Sequence, residues 1–456
     1  MAKAAVDLII IGAGPAGMAA ACEARDLGLS VILLDEQASV GGQIYRSIEA
    51  APAGRRAILG SDYVAGQSLA ARFRASGTDY IGGALVWNVS TDGVVSYVQS
   101  GKSQTAVGKF ILLASGAMER PFPIPGWTLP GVMGAGAAQI LLKGSGALPK
   151  SPVILAGCGP LLYLLAWQYL RAGTKLQALV DTTKRSDYLR AAPHLLGVLR
   201  GWRDLSKGIR LLSSVRRHDF PVYSGASKLA VEGKQRAEGL SFDHRGKQVR
   251  LAAQQVLLHQ GVVPNVQLTL ALRAEHRWNP HQLCWQPVTD SWGRLGGMSV
   301  YVAGDSRAIV GAKASAIQGR LAAIAIAEQL GMPKHIASRA VPLRRELRTH
   351  TSIRPFLDSL YRPRDENRIP LADDVTVCRC EEVTAGQIRG YVELGCLGPN
   401  QTKAFGRCGM GPCQGRLCGL TVTEIIAQAR GTMPDEVGYY RVRPPIKPVM
   451  LGDFVS

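Results

Sequence analysis

No uninterrupted run of about 20 apolar residues occurs in the sequence, so no helix of it is expected to span a membrane. The apolar start is interrupted by Asp7 and a glycine loop, which speaks against a secretion leader. No nucleic-acid motif accompanies the net charge of +19, and the basic residues are spread over several segments, 184–217 among them. Nucleic acid is therefore not expected as a partner. A basic surface that docks proteins or holds phosphate-bearing cofactors is. The nine cysteines contain no Cys-x2-Cys knuckle, and six crowd between Cys378 and Cys418. An odd count without an export signal points to a reducing, cytoplasmic compartment and a metal site rather than disulfides. No His/Glu/Asp constellation for substrate chemistry rises above background, so no catalytic acid or base is assigned.

What is present begins with Val6–Asp35. A short apolar run, Leu8–Ile11, is followed by Gly12-x-Gly14-x-x-Gly17, a small-residue helix opened by Pro15 and Ala16, a second apolar run and then Asp35-Glu36. This is a βαβ unit with the dinucleotide fingerprint in context. Gly12 permits the tight turn, Gly14 lets backbone approach a pyrophosphate, and Gly17 lets helix and strand pack closely. The helix N-terminus offers unpaired N–H groups to phosphate, and Asp35 can accept hydrogen bonds from a ribose.

Further along, Gly41-Gly42-Gln43 can bring backbone close to a ligand. The strand Phe110–Leu113 runs into Ala114-Ser115-Gly116, and the stretch Gly297–Asp305 ends in Gly304-Asp305 before a long small-residue helix, Ala312–Leu330. A second strand–glycine–helix unit starts at Val153. It carries Gly157 and Gly159 but Leu162 at the third position, a bulk expected to hold helix and strand apart and weaken pyrophosphate binding. The 456 residues suffice for two or three domains.

Gly12–Gly17 with Asp35, Ala114-Ser115-Gly116, Gly261-Val262-Val263-Pro264-Asn265 and Ala303-Gly304-Asp305 resemble the signatures of two-dinucleotide-domain flavoproteins, the relatives of glutathione and thioredoxin reductase. The resemblance covers roughly residues 5–330 and implies an α/β fold with FAD in the first unit, Gly304-Asp305 on its ribityl chain or phosphates, and a nested second unit for NAD(P)H. Gly41-Gly42-Gln43 is followed by no cysteine, so disulfide-reductase chemistry is not expected on this flavin. Leu162 counts against efficient NAD(P)H use.

Four thiolates in a short segment suit Zn²⁺ or a [2Fe–2S] cluster, and the absence of Cys-x2-Cys favours the cluster. Glycines 409, 411, 415 and 419 allow backbone N–H groups to approach the sulfurs. Cys378-x-Cys380 with Met410-Gly411-Pro412-Cys413-Gln414-Gly415-x-x-Cys418 resembles the small α-rich [2Fe–2S] domain of bacterioferritin-associated ferredoxin. That implies Cys378, Cys380, Cys413 and Cys418 as ligands, with Cys408 in reserve because it precedes Cys413 by the spacing at which Cys413 precedes Cys418.

Together with the tail Arg443–Pro448, the combination resembles the α subunits of heteromeric amine-oxidising dehydrogenases: the opine oxidase A subunits, the hydrogen cyanide synthase B subunits, and the α subunits of D-hydroxyproline and dye-linked L-proline dehydrogenases. The resemblance implies several partners and cofactors. A β subunit of D-amino-acid-oxidase type would carry its own FAD and the substrate site, FMN would sit at the partner interface, and a small ferredoxin-like γ subunit would accompany them. A second nucleotide site would be open to ATP or NAD, and any membrane contact would be peripheral, through the electron acceptor. The expected organisation is a first FAD part (1–145), a nested nucleotide-binding domain (146–275), a second FAD part (276–332), a basic linker (333–375), a [2Fe–2S] domain (376–430) and an extended tail (431–456). The rival expectations are a stand-alone NAD(P)H-dependent flavin oxidoreductase and a zinc-bearing structural subunit.

Overall fold

The computed structural model describes residues 5–150, 152–333 and 338–454. The chain divides into two compact units, one made of Met1–Met118, Val263–Ser352 and Arg441–Ser456, the other of Glu119–Val262 and Ile353–Tyr440.

The first unit is built on the strand Val6–Ile11. It lies between Val31–Asp35 and Lys102–Leu113, both parallel to it, and Val300–Val302 adds a further parallel strand beyond Lys102–Leu113. Leu8, Ile9 and Ile10 are fully buried, as a parallel strand covered on both faces requires. The helix Pro15–Asp26 packs on the helix Ala312–Gln329, and the approach is tight. A Cβ on Gly319 would fall 2.1 Å from the Ala16 carbonyl oxygen, which explains why both helices are rich in alanine and glycine. From the expected basic linker, Ala340–Thr351 is helical and belongs to this unit; residues 334–337 lie outside the described residues. The tail returns here as well. Val442 and Ile446 join the core, and the Ile446 N–H donates to the Trp87 carbonyl over 2.9 Å.

The second unit has a parallel five-stranded sheet in the order Val222–Ser224, Leu176–Asp181, Val153–Cys158, Val256–Gln260, Val132–Gly134. Three antiparallel strands, Ser227–Glu232, Gly239–His244 and Lys247–Ala252, complete its nested portion. The basic stretch after Asp181 forms the helices Arg185–Ala191, Leu195–Arg200 and Trp202–Arg216.

The cysteine-bearing segment groups with this second unit. It is a short strand pair, Thr376–Cys378 with Val383–Thr384, followed by the helices Ala385–Glu393, Pro399–Gly406 and Gly419–Arg430. Thr384 caps the first of these reciprocally with Gln387. A core of Val377, Ile388, Val422, Ile425 and Ile426 closes around the sulfurs. Two contacts tie the segment to the nested sheet portion and its flank: Trp127 Nε1 donates to the Thr376 carbonyl over 2.7 Å, and buried Arg368 forms an ion pair with buried Glu424.

Candidate functional site

In the first unit the strands Val31–Asp35, Val6–Ile11, Lys102–Leu113 and Val300–Val302 are successive parallel neighbours, so their carboxyl ends open on one edge. That edge collects Gly12–Gly17, Asp35-Glu36, Ser115-Gly116 and Gly304-Asp305. Gly12 has φ +108°, and a Cβ there would lie 2.4 Å from the Ala114 oxygen. A Cβ on Gly17 would lie 1.9 Å from the Gly12 oxygen. The fold itself demands those two glycines. Gly14 differs: its φ is −75°, open to any residue, and a Cβ would meet only Gly42 Cα, at 3.9 Å. Nothing among the described residues requires glycine at 14. The space beside it fits a pyrophosphate laid on the uncapped N-terminus of Pro15–Asp26. Gly42, at φ +58°, borders the same space, since a Cβ on it would come 2.8 Å from Gly14 Cα.

Asp35 does more than offer a ribose acceptor. Its two carboxylate oxygens accept from the Ala13 N–H at 2.5 Å and the Gln37 N–H at 2.7 Å, so it braces the glycine loop. Burial pushes its carboxyl pKa up, and those two N–H donors pull the other way. Glu36, half-exposed, carries the next carboxylate along and ion-pairs with Lys447 of the tail. Gln43 Oε1 accepts from Arg46. Ser115 Oγ donates to the Asn265 carbonyl, and the Asn265 N–H returns to the Gly116 carbonyl, so these two signature stretches are one structural joint. Asp305 accepts from the N–H groups of Val310 and Gly311 at 2.8 and 3.0 Å, shaping the entry to Ala312–Gln329. The Gly304 N–H is held by Gln318 Oε1. Gln318 and Lys447 carry no local motif. Only their long-range partners reveal them.

The second glycine loop has the same backbone plan with a different filling. Gly157 sits at φ +133°, with a Cβ position 1.6 Å from the His259 oxygen, as Gly12 sits against Ala114. The space beside Gly159, however, holds the His259 ring, 3.5 Å from where a Cβ would be. His259 Nδ1 is 2.7 Å from Glu119, whose carboxylate also accepts from the Gly136 N–H. Leu162 is fully buried. Asp181, the counterpart of Asp35, is taken by the Tyr163 hydroxyl and the Thr183 N–H. Desolvation raises both the Asp181 carboxyl and the Tyr163 phenol. Cys158 Sγ contacts the Tyr361 carbonyl at 3.6 Å, and Arg364 donates to the Thr182 carbonyl, so residues 361–364 lie over the loop.

The sulfurs fall into two sets. Cys378, Cys408 and Cys418 are buried, with all three Sγ atoms within 4.8 Å of one another. Cys380 is exposed and hydrogen-bonds with the Cys413 side chain and backbone N–H. In the buried trio, the thiols of Cys408 and Cys418 and the Gly409 N–H donate to Cys378, which pulls its pKa down to about 2; Cys408 is correspondingly pushed up to about 12, and Cys418 is also raised. One thiolate is thus shared by two thiol donors, and a bound cation would let the others ionise. This donor set suits a soft, thiolate-preferring metal centre.

Gly409 therefore serves sulfur hydrogen bonding as expected. Gly409 and Gly415 have a second reason: a Cβ on either would lie 2.4–2.5 Å from the Tyr440 ring, and one on Gly419 would lie 2.4 Å from the Tyr439 hydroxyl. Tyr440 is buried, and its hydroxyl donates to Cys408 Sγ at 3.3 Å. The sequence signal for it was weak, a Tyr-Tyr pair more than twenty residues beyond the last cysteine.

Residues 6–331 match the family model described as pyridine nucleotide-disulphide oxidoreductase, and residues 369–455 match the sarcosine oxidase A3 domain. Two of the opine oxidase A subunits align along nearly the whole chain. That of Rhizobium meliloti is 46% identical, over 99% of this chain and 87% of the relative. That of Agrobacterium tumefaciens (strain Ach5) is 47% identical, over 98% and 91%. Among solved structures, L-proline dehydrogenase from P. horikoshii superposes with a TM-score of 0.74 at 21% identity, covering 99% of this chain and 79% of that one, which is a likeness of fold.

Proposed function

The chain belongs to the pyridine nucleotide-disulphide oxidoreductase family and groups there with the opine oxidase A subunits, and on that premise we propose that it is the electron-transfer subunit of a heteromeric oxidase or dehydrogenase. It is an oxidoreductase subunit of a system acting on C–N bonds. The substrate is an opine, D-hydroxyproline, proline or a similar amino acid, oxidised on a partner β subunit with its own FAD. FMN lies at that partner's interface, and a ferredoxin-like γ subunit is a further partner.

The observation that carries this reading is the space beside Gly14, which no conformational or packing need of the chain explains and a dinucleotide does. FAD bound there is held by Gly12–Gly17, Gly42, Gln43, Ser115-Gly116 and Gly304-Asp305, with Asp35 offering a carboxylate to the adenosine ribose and Glu36 beside it. A [2Fe–2S] cluster is held by Cys378, Cys380, Cys413 and Cys418. Bound flavin and cluster together supply an exchange between two-electron and one-electron transfer. The chain's own residues do the positioning: Asp35 fixes the glycine loop, Asp305 sets the entry to the following helix, and Tyr440 and Gly409 direct hydrogen bonds at sulfur. ATP or NAD at Gly157 and Gly159 is not favoured, because the His259 ring stands beside Gly159, Tyr163 is bonded to Asp181 and Leu162 replaces the third glycine.

The test is co-expression with the candidate β and γ chains, followed by flavin extraction, iron and sulfide analysis, EPR of the reduced complex and a substrate panel of opines, proline derivatives and sarcosine. The expected result is FAD and a [2Fe–2S] signal on this chain and amine oxidation only in the complex. Amine oxidation by the isolated chain, NADH oxidation by it at the rate of the complex, or a zinc-loaded colourless protein would each refute the proposal.

A further inference from the structure

We propose that one iron of the sulfur site has a built-in spare ligand, with Cys378 and Cys418 holding that iron, Cys380 and Cys413 holding the other, and Cys408 standing in reserve for the first alone. The inference rests on the cluster reading above and adds what spacing could not decide, since in the sequence Cys408 could replace either Cys413 or Cys418.

Two thiolates bound to one tetrahedral metal at about 2.3 Å lie roughly 3.8 Å apart. Ligands of the two different irons in a binuclear cluster must lie well beyond that. Three sulfurs that all sit within 4.8 Å of one another therefore compete for one metal ion and cannot be divided between two. Cys380 and Cys413 form the second close pair, joined by their own hydrogen bond. Each iron of a [2Fe–2S] cluster offers two positions to the protein, so five cysteines leave one over. The surplus falls on the buried side.

Within that side each sulfur hydrogen-bonds to both others, so Cys408 and Cys418 stand in the same relation to Cys378. Cys408 and Cys418 are the interchangeable arms. Cys408 is fully buried and kept in place by the Tyr440 hydroxyl, with Thr402 Oγ1 reaching both that hydroxyl and the Cys408 carbonyl. On ligation Cys408 loses its thiol proton, and the Tyr440 O–H remains as donor to the thiolate, a hydrogen bond of the kind that tunes metal–sulfur sites. The exposed side has no equivalent. Among the described residues no further cysteine, histidine or carboxylate joins Cys380 and Cys413 in a ligand-spaced group.

The experiment replaces cysteines one at a time in the full chain, reconstitutes anaerobically, and measures iron and sulfide per chain together with the EPR g-values of the reduced protein. Flavin content, a property of the other unit, reports folding independently. Wild type and Cys408→Ser are expected to carry the same cluster with the same g-values. Cys418→Ala is expected to keep at least about half the iron with shifted g-values, and the double variant Cys408→Ala/Cys418→Ala to lose it. Cys380→Ala and Cys413→Ala are expected to lose it singly. Iron-free, flavin-replete Cys418→Ala beside a loaded wild type would overturn the spare-ligand assignment and leave the cluster reading standing, as would full loading of Cys413→Ala. A wild type that takes up flavin but no iron would sink both. Should Cys418→Ala lose flavin as well, Cys408→Ser in the wild-type background decides: altered g-values would make Cys408 a resident ligand and overturn the proposal.

Discussion

The two glycine loops of this chain share a plan and differ in what stands opposite their second glycine. At Gly14 the chain leaves room, and at Gly159 it inserts the His259 ring. At the first loop the third glycine, Gly17, lets the helix come down on the Gly12 carbonyl. At the second, buried Leu162 takes that place and Tyr163 fills the strand-end acid. The comparison teaches that one strand–glycine–helix plan can either leave the place beside its second glycine open or line it with side chains. The second loop then serves as a bed on which residues 361–364, leading to the cysteine segment, are laid.

The comparison breaks or sharpens at four places, taken from the largest effect down. Gly14→Val puts a branched side chain into the reserved space without straining the backbone, and should weaken flavin binding on the order of 10³-fold, about 4 kcal/mol, with the melting temperature of the apoprotein unchanged. Flavin titration and thermal denaturation of the same sample settle it, and retained flavin would mean the space at Gly14 has another purpose. Leu162→Ala should cost about 3 kcal/mol of stability as a cavity in a filled core, read by urea unfolding, and should create no NADH binding because His259 and Tyr163 remain.

Gly159→Ala should cost about 1–2 kcal/mol through its left-handed backbone at φ +109°. Flavin content should stay at the wild-type level, in contrast to position 14. The smallest effect is electrostatic. Burial raises the Asp181 pKa from its ordinary value of 3.8, so the folded protein binds this proton more tightly than the unfolded chain. Its contribution is then fully present below pH 3.8 and lost as pH rises through the folded pKa. Asp181→Asn, which keeps an acceptor for Tyr163, should therefore match wild type in acid and gain relative stability toward neutral pH. Denaturation midpoints that stay parallel across that range would contradict the assignment.

Much of this was legible in the chain because it depends on local rules. Leu8–Ile11 and Val153–Cys158 read as buried strands from apolar runs, and Gly12 and Gly157 as turns from the positive φ that only glycine adopts cheaply. Asp35 was legible as an acid at a strand end, though not as the brace of its own loop, since that depends on which N–H groups the folded turn aims at it. The tail read as extended, but nothing in Arg443–Pro448 says that Ile446 enters the first unit's core or that Lys447 meets Glu36.

Residue order alone was enough for the two strand–glycine–helix units, the residues at the ends of their strands and the inventory of clustered cysteines, because periodicity, backbone strain and residue type act within a few positions. Packing in three dimensions settled which glycine loop stays open and that Cys408 lies with Cys418 rather than Cys413. Those outcomes turn on contacts such as His259 with Gly159, Tyr163 with Asp181 and Tyr440 with Cys408. Their partners are separated by intervening chain, and their energies exist only once that chain has packed.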